Sequence, residues 1–172
     1  LIGRLLPRPV ARVAAAVLVA WAAVWLIDGT LVNGVKSVME ESFALLDTQT
    51  HEGVERPEVA ERSGSPASLA AWDSLGREGR RFVGTGPDAA AIAQVAAATG
   101  YPGEVREPIR VYAGREAADS LPGVADIVVA ELDRTDAWDR EVLVVVTTTG
   151  TGWVDPPAAE AIELAWGGNT AI

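Results

Sequence analysis

The run from Arg140 to Pro157 constrains the fold most, because it predicts a strand, a glycine loop and a helix start in direct succession. Val142 to Val146 are aliphatic residues without polar alternation, a pattern typical of a strand buried on both faces of a helix-covered parallel sheet. Gly150-Thr151-Gly152 ends the extended run, and Asp155 followed by Pro156 favours the start of a helix. Ligands and reacting groups collect at such junctions in α/β proteins, so the sequence predicts where a site lies but not its chemistry.

The segments on either side of this run alternate between helix and strand. Asp88 to Thr99 and Ser120 to Leu132 have the periodicity and capping residues of helices, whereas Pro108 to Ala113 alternates as a strand does. Pro156 to Trp166 predicts another helix, and Asn169 to Ile172 reads as the opening of a further strand. This order predicts an α/β fold with a parallel, helix-flanked sheet, and the late strand opening suggests a segment of a longer protein.

The N-terminal part predicts a membrane span. Val13 to Ile27 contains no charged residue, and with Gly29 to Val32 the run reaches the ~20 residues that cross a bilayer, although Asp28 interrupts it. Three arginines precede the run, namely Arg4, Arg8 and Arg12, and an acidic tail follows it. The positive-inside rule therefore places the N-terminus in the cytoplasm and everything after the span outside the cell membrane. A signal peptide and a buried core helix are the alternatives.

Two segments connect the predicted span to the α/β part. Apolar residues at helical spacing predict an amphipathic helix that continues the span, lies on the membrane surface or packs on the domain. These residues are Val35, Val38, Met39, Phe43 and Leu46. Thr48 to Ser68 is polar and contains several glycines and prolines, which is typical of an extended connector. The predicted organisation is a transmembrane helix with flanks at 1–34, the amphipathic helix and connector at 35–68, and the first part of a parallel, helix-flanked α/β domain at 69–172.

The sequence contains no complete catalytic or metal site. There is no cysteine, no HExxH motif and no Gly-x-Ser-x-Gly motif. Ser63, Ser65 and Ser68 do not follow a predicted strand, so we interpret them as loop and capping serines. His51 is the only histidine and is interpreted as a solvated loop residue, because one histidine provides neither metal-ligand spacing nor a paired nucleophile. We expect no catalytic residue, no cofactor and no metal ligand in this chain.

The glycine loop does not match a nucleotide-binding motif. The dinucleotide-binding pattern requires a third glycine where this chain has Asp155, and a P-loop requires a following Gly-Lys-Ser/Thr. The loop's successive backbone N–H groups could form an anion cradle, or its glycines could only allow a tight turn. The formal net charge of −10 argues against nucleic acid as a partner, because phosphate binding needs clustered basic residues.

Two stretches resemble a known family. Ser63 to Val83, and Glu107 to Gly114 continued by Asp139 to Pro156, are similar to the actinobacterial membrane-anchored α/β-hydrolase family, best known from mycobacteria and their relatives. The resemblance implies that the chain comprises the last transmembrane helix, the connector and the first part of an extracytoplasmic hydrolase domain. The serine, acid and histidine of the triad follow one another in that order in this fold, and the resemblance places all three beyond Ile172.

The resemblance also implies a role for the glycine loop. One donor of the α/β-hydrolase oxyanion hole is a backbone N–H in the loop after the third strand, and a comparable loop occurs here without the HGGG motif. Its residues are Thr149, Gly150, Thr151, Gly152 and Trp153. A correctly aimed donor of this kind stabilises the tetrahedral intermediate by ~3 kcal/mol.

Two functions of different class follow. The first is the N-terminal part of a membrane-bound serine esterase or lipase-like hydrolase that acts on envelope lipids or other acyl esters. Its partners would be the lipid bilayer, a lipid or acyl-ester substrate and the remainder of its own polypeptide, with no nucleic acid. The second is a non-catalytic, membrane-anchored α/β module with an interaction or structural role. A Gly-x-Ser-x-Gly-like elbow after Ile172 would distinguish the first from the second.

Overall fold

The computed structural model describes residues 8–26, 47–148 and 150–172, and the chain divides into two compact units, Leu1–Leu45 and Leu46–Ile172. The predicted amphipathic helix, with Val35, Val38, Met39, Phe43 and Leu46, lies outside the described residues, as does Thr149 of the glycine loop. The first unit contains helix α1, Arg8–Leu26.

Helix α1 presents exposed apolar side chains. Val17, Leu18 and Trp21 expose between 62 % and 67 % of their surface. The predicted transmembrane helix overlaps α1, but no helix in the described ranges is both long enough and apolar enough to cross a membrane.

The second unit contains four α-helices in its described part: α2 (Gly76–Gly84), α3 (Ala89–Thr99), α4 (Leu121–Arg134) and α5 (Pro156–Ala165). The predictions of α3, α4 and α5 are confirmed. Asp88 caps α3 by accepting a hydrogen bond from the Ala91 N–H at 2.7 Å, and Ser120 caps α4 in the same way. Asp155 occupies the predicted N-cap position of α5, but its side chain makes no capping hydrogen bond.

The sheet is parallel and small. Strands β1 (Val142–Leu143) and β2 (Thr170–Ala171) pair in register, with Val142 opposite Thr170. Single parallel bridges add two further extended segments, because Ile109 pairs with Ala171 and Arg110 pairs with Arg62. The order across the sheet is therefore the Arg62 segment, the Ile109–Arg110 segment, β2 and β1. A parallel arrangement with flanking helices matches the predicted class, but Pro108 to Ala113 forms bridges at two residues instead of a full strand.

The prediction that Val142 to Val146 is a strand buried on both faces is wrong. Only Val142 and Leu143 are in strand conformation, Leu143 is 40 % exposed and Val145 is 86 % exposed. The physical reason is position, because β1 pairs with β2 along one side and has no strand on its other side within the described residues. A run of aliphatic residues is thus found at the edge of the described sheet.

Two apolar clusters lie on opposite faces of the sheet. Ile109 and Ala171 pack with Leu132 of α4, whereas the next residue after Ala171, Ile172, packs with Val83 of α2 and other residues of the second cluster. Because successive side chains of an extended segment point to opposite faces, α4 covers one face and α2 covers the other. Ala159 of α5 belongs to the same cluster as Val83 and Ile172.

The end of the predicted polar connector is part of this domain. Arg62 and Ser63 are buried, and the Ser63 N–H donates to the Arg110 carbonyl at 2.9 Å. Ser65 is also buried. Residues 61–65 therefore do not form a solvated linker, because their backbone pairs with the sheet and their side chains enter its core.

Candidate functional site

The glycine loop and Tyr112 lie at the same edge of the sheet. The loop follows β1, and Tyr112 follows the Ile109–Arg110 segment, which runs in the same direction. Carboxyl ends of parallel strands meet at one edge, and this edge is where ligands bind in open α/β sheets. A cavity of about 670 Å³, lined by residues 115–121, opens where the chain continues from Tyr112 towards α4.

Gly152 is the constrained glycine of the loop. Its φ is +79°, a backbone conformation that side chains other than glycine rarely adopt. A Cβ at this position would also overlap the hydroxyl oxygen of Tyr112, whereas a Cβ at Gly150 would meet no atom within 4 Å. The two glycines of the motif are therefore not equivalent, and only Gly152 is required by the contacts of the described residues.

The Tyr112 hydroxyl donates a hydrogen bond to the Gly152 carbonyl at 3.0 Å. Burial above all, together with the nearby negative charges of Asp47 and Glu78, raises the pKa of Tyr112 from 10.0 to about 12. The phenol therefore keeps its proton at neutral pH and remains a donor. Tyr112 was not among the site residues predicted from the sequence, although its position at the end of a predicted strand was a usable signal.

The hydrogen bond from Tyr112 fixes the direction of the next N–H group. In a trans peptide the carbonyl and the N–H point in opposite directions, and the described chain has no cis peptide bond. Since the Gly152 carbonyl points at Tyr112, the Trp153 N–H points away from it. Within the described residues this N–H has no hydrogen-bond acceptor. An oriented, unpaired backbone N–H is the kind of donor that binds an anionic oxygen.

The other loop residues support this arrangement to different extents. Thr149 is outside the described residues, and Gly150 and Thr151 are exposed. Trp153 is 40 % exposed, while Val154, the next residue, is buried in the core and anchors the end of the loop.

The sequence predicted a solvated loop residue at His51, but the structure places its side chain in contact with two charged neighbours. Its side chain is 25 % exposed, and its Nε2 lies 2.8 Å from a carboxylate oxygen of Glu78. Its Nδ1 lies 3.4 Å from Nη2 of Arg77, which can only donate, so Nδ1 accepts and Nε2–H donates to Glu78. Both ring nitrogens are occupied, so the geometry does not present His51 as a general base.

The three serines also have structural surroundings. The Ser63 hydroxyl donates to Glu131 at 2.9 Å and accepts a bond from the Tyr112 N–H at 3.0 Å. Ser68 lies 3.1 Å from the same carboxylate. Ser65 is buried, and its hydroxyl has no partner among the described residues. None of the three is bonded to a histidine, so none has the base that activates a serine nucleophile.

No group of three or more histidine, cysteine or acidic residues in the described ranges could hold a metal ion. The site that the structure brings together is therefore a backbone site: the Gly152–Trp153 peptide, held by Tyr112 at the carboxyl edge of the sheet.

Two protein-family models match the chain. Residues 1–87 match a family model described as "Alpha/beta-hydrolase family N-terminus", and residues 109–172 match one described as "Alpha/beta-hydrolase family". The second match includes Tyr112 and the whole glycine loop. No curated protein and no solved structure matches the chain. The matches name neither a source organism nor a membrane segment, so the actinobacterial and membrane-anchored parts of the resemblance stay predictions.

Proposed function

Because the chain belongs to the alpha/beta-hydrolase family, we propose that it is the N-terminal part of a serine hydrolase of the esterase or lipase type. The nucleophile, acid and histidine would be supplied by residues that these 172 do not include. The observation that carries the proposal is the Gly152 carbonyl held by Tyr112, which leaves the Trp153 N–H unpaired at the ligand-binding edge of the sheet.

In this function the Trp153 N–H is an oxyanion donor. When a nucleophile adds to an ester carbonyl, the carbonyl oxygen gains negative charge in the tetrahedral intermediate. A fixed N–H dipole stabilises that charge without proton transfer and without reorganising at the moment of reaction.

The contacts of His51 and the serines support placing the nucleophile elsewhere. The only histidine of the sequence is bonded through both nitrogens, and Ser63 is bonded to Glu131. The proposal also includes attachment to the outer side of the cell membrane and an acyl-ester lipid as substrate. The exposed apolar side chains of α1 support attachment, because contiguous exposed apolar surface marks contact with a membrane or a protein.

The second candidate is a non-catalytic, membrane-attached module. It is favoured by one observation: the described residues contain no nucleophile bonded to a base.

The test is ester hydrolysis by the complete protein with Gly152→Ala. A Cβ at position 152 collides with Tyr112 and disfavours the φ of +79°. The 152–153 peptide therefore rotates, and the Trp153 N–H no longer points towards the oxyanion. We expect kcat for a p-nitrophenyl ester to fall roughly 10²- to 10³-fold, with KM little changed.

Gly100→Ala is the matched control, since Gly100 has a φ of +72° but a Cβ there would meet no atom. It shares the backbone penalty of about 1 kcal/mol and should leave kcat unchanged. Equal kcat values for wild type and Gly152→Ala would remove the oxyanion assignment, and absence of hydrolysis by the wild-type protein would favour the non-catalytic module.

A further inference from the structure

We propose that Tyr112 is a positioning residue that sets the direction of the Trp153 N–H through its hydrogen bond to the Gly152 carbonyl. The inference rests on the proposed oxyanion role of this loop for its functional meaning, but the positioning itself is a property of the described chain.

The Tyr112 ring is held by elements outside the loop. Its edge lies against Gly79 of α2, where a Cβ would come 2.6 Å from the ring carbon Cδ1. The ring of Phe82 packs beside it, with ring centroids 6.2 Å apart and tilted by 49°. The Tyr112 N–H donates to Ser63 Oγ at 3.0 Å. The hydroxyl position is therefore set by α2 and the sheet, and it does not depend on the glycine loop.

The two glycines of the loop, in contrast, constrain its backbone little. Gly150 has open space around it, and glycine at position 152 offers the backbone more conformations than any other residue would. A rotation of the 152–153 peptide by half a turn would aim the Gly152 carbonyl outwards in place of the Trp153 N–H. A carbonyl oxygen in that place would repel a developing oxyanion. The hydrogen bond from the Tyr112 hydroxyl to the Gly152 carbonyl opposes this rotation, because the rotation would break it.

Burial first, and negative charge second, keep the Tyr112 hydroxyl protonated. Asp47 and Glu78 are the acidic groups that act on Tyr112, and both disfavour loss of its proton. Two arginines contact the same region: the Arg77 backbone N–H donates to the Asp47 carboxylate, the Arg77 guanidinium lies 3.4 Å from Nδ1 of His51, and Arg80 donates to the Gln49 carbonyl at 2.8 Å. Among the described residues no hydrogen bond joins either arginine to Tyr112.

The first test is Tyr112→Phe in the complete protein, with the ¹⁵N order parameter of the Trp153 N–H as the readout, because an unpaired amide has no protection from hydrogen exchange to lose. The substitution keeps the ring that packs on Gly79 and Phe82 and removes only the hydroxyl. We expect the order parameter of the Trp153 N–H to fall from about 0.85 to below about 0.6, while those of α2 are unchanged. Tyr101→Phe is the matched control, because it removes the other tyrosine hydroxyl of these 172 residues and should leave the loop order parameters unchanged. An unchanged Trp153 order parameter in Tyr112→Phe would overturn the proposal.

A double-mutant cycle with Gly152→Ala checks the contact itself. The added methyl group collides with the Tyr112 hydroxyl, so the loss of stability caused by Gly152→Ala should be smaller in the Tyr112→Phe background than in the wild type. Strictly additive effects would show that the two groups do not meet and would overturn the proposal.

The kinetic test uses Tyr112→Phe in the complete protein. A positioning role predicts a kcat decrease of roughly 10- to 100-fold with KM little changed, because the donor acts on the transition state and not on substrate binding. A lower Trp153 order parameter with unchanged kcat would overturn the functional part. If the wild-type protein hydrolyses no ester, the proposed function fails, while the order-parameter and double-mutant results still decide whether Tyr112 positions the loop.

Discussion

The carboxylate of Glu131 is fully buried and joins α4 to the segment that precedes α2. It accepts hydrogen bonds from Ser63 Oγ at 2.9 Å, from the Leu69 N–H and from Arg134. Burial alone would raise the pKa of Glu131, but these hydrogen bonds and the charge of Arg134 outweigh it, so the pKa is lowered below 4.5. One residue therefore explains why the predicted connector is fixed on the domain.

Glu131→Gln should lower the free energy of unfolding by roughly 2 kcal/mol at pH 7, because hydrogen bonds to a charged group are lost in a buried place. Since the folded-state pKa is depressed, the stabilisation is fully present above 4.5 and is lost as the pH falls through the folded-state pKa. Urea unfolding at pH 7 and at successively lower pH values should show the difference between wild type and variant shrinking with acidification.

Glu104→Gln is the control for this measurement, because the Glu104 side chain is 76 % exposed and pairs with Arg106 at the surface. Its effect should stay within about 0.5 kcal/mol at every pH. A Glu131→Gln effect that grew as the pH fell would contradict the assignment of a lowered pKa.

At the scale of elements, two arginines cover the carboxyl end of α2. Arg110 Nη1 donates to the Phe82 carbonyl at 2.6 Å, and Arg62 Nη1 donates to the Thr85 carbonyl at 2.7 Å. Positive charge at a helix C-terminus satisfies free carbonyls and favours the helix dipole. Arg110 is itself paired with Glu163 of α5 through two bonds of 2.7 Å, both side chains being fully buried. The sheet, α2 and α5 are thereby joined around one guanidinium.

The helices were more predictable from the sequence than the sheet. Asp88 and Ser120 cap their helices through residues three positions away, so the signal for α3 and α4 is local. The burial of Arg110 depends on a carboxylate 53 residues later, and an alternating strand pattern assigns such a polar residue to solvent. The predicted burial of Val145 is wrong for the same reason, because its exposure depends on strand pairing and not on its aliphatic neighbours. The glycine loop could be predicted from local sequence, whereas its hydrogen-bond partner, Tyr112, lies 40 residues away and could not.

At the scale of the whole molecule, the chain combines an apolar helix in its first unit with an α/β domain in its second. The first family match, residues 1–87, covers the first unit and the beginning of the second, whereas the other match, residues 109–172, lies within the second unit. The membrane prediction belongs to the first unit, and the proposed hydrolase role belongs to the second.

Val17→Asp combined with Leu18→Asp should release the protein from the membrane fraction. Both side chains are exposed on α1, and each charge placed in the hydrocarbon costs roughly 3 kcal/mol. Leu121→Asp is the control, because Leu121 is an exposed leucine of the second unit, 77 % exposed, and its substitution should leave the distribution unchanged. The measurement is sedimentation of the protein with membranes, and retention of the double variant would contradict attachment through α1.

The most direct test of the central claim is labelling of the complete protein with a fluorophosphonate probe, followed by mass-spectrometric mapping of the modified residue. Such probes react with serines that are activated by a base. The account predicts a single modified serine outside these 172 residues and none at Ser63, Ser65 or Ser68, which lack a histidine partner. It also predicts that Gly152→Ala slows the labelling, because the phosphonyl oxygen uses the same donor. Labelling of a serine within this chain, or no labelling at all, would contradict the account.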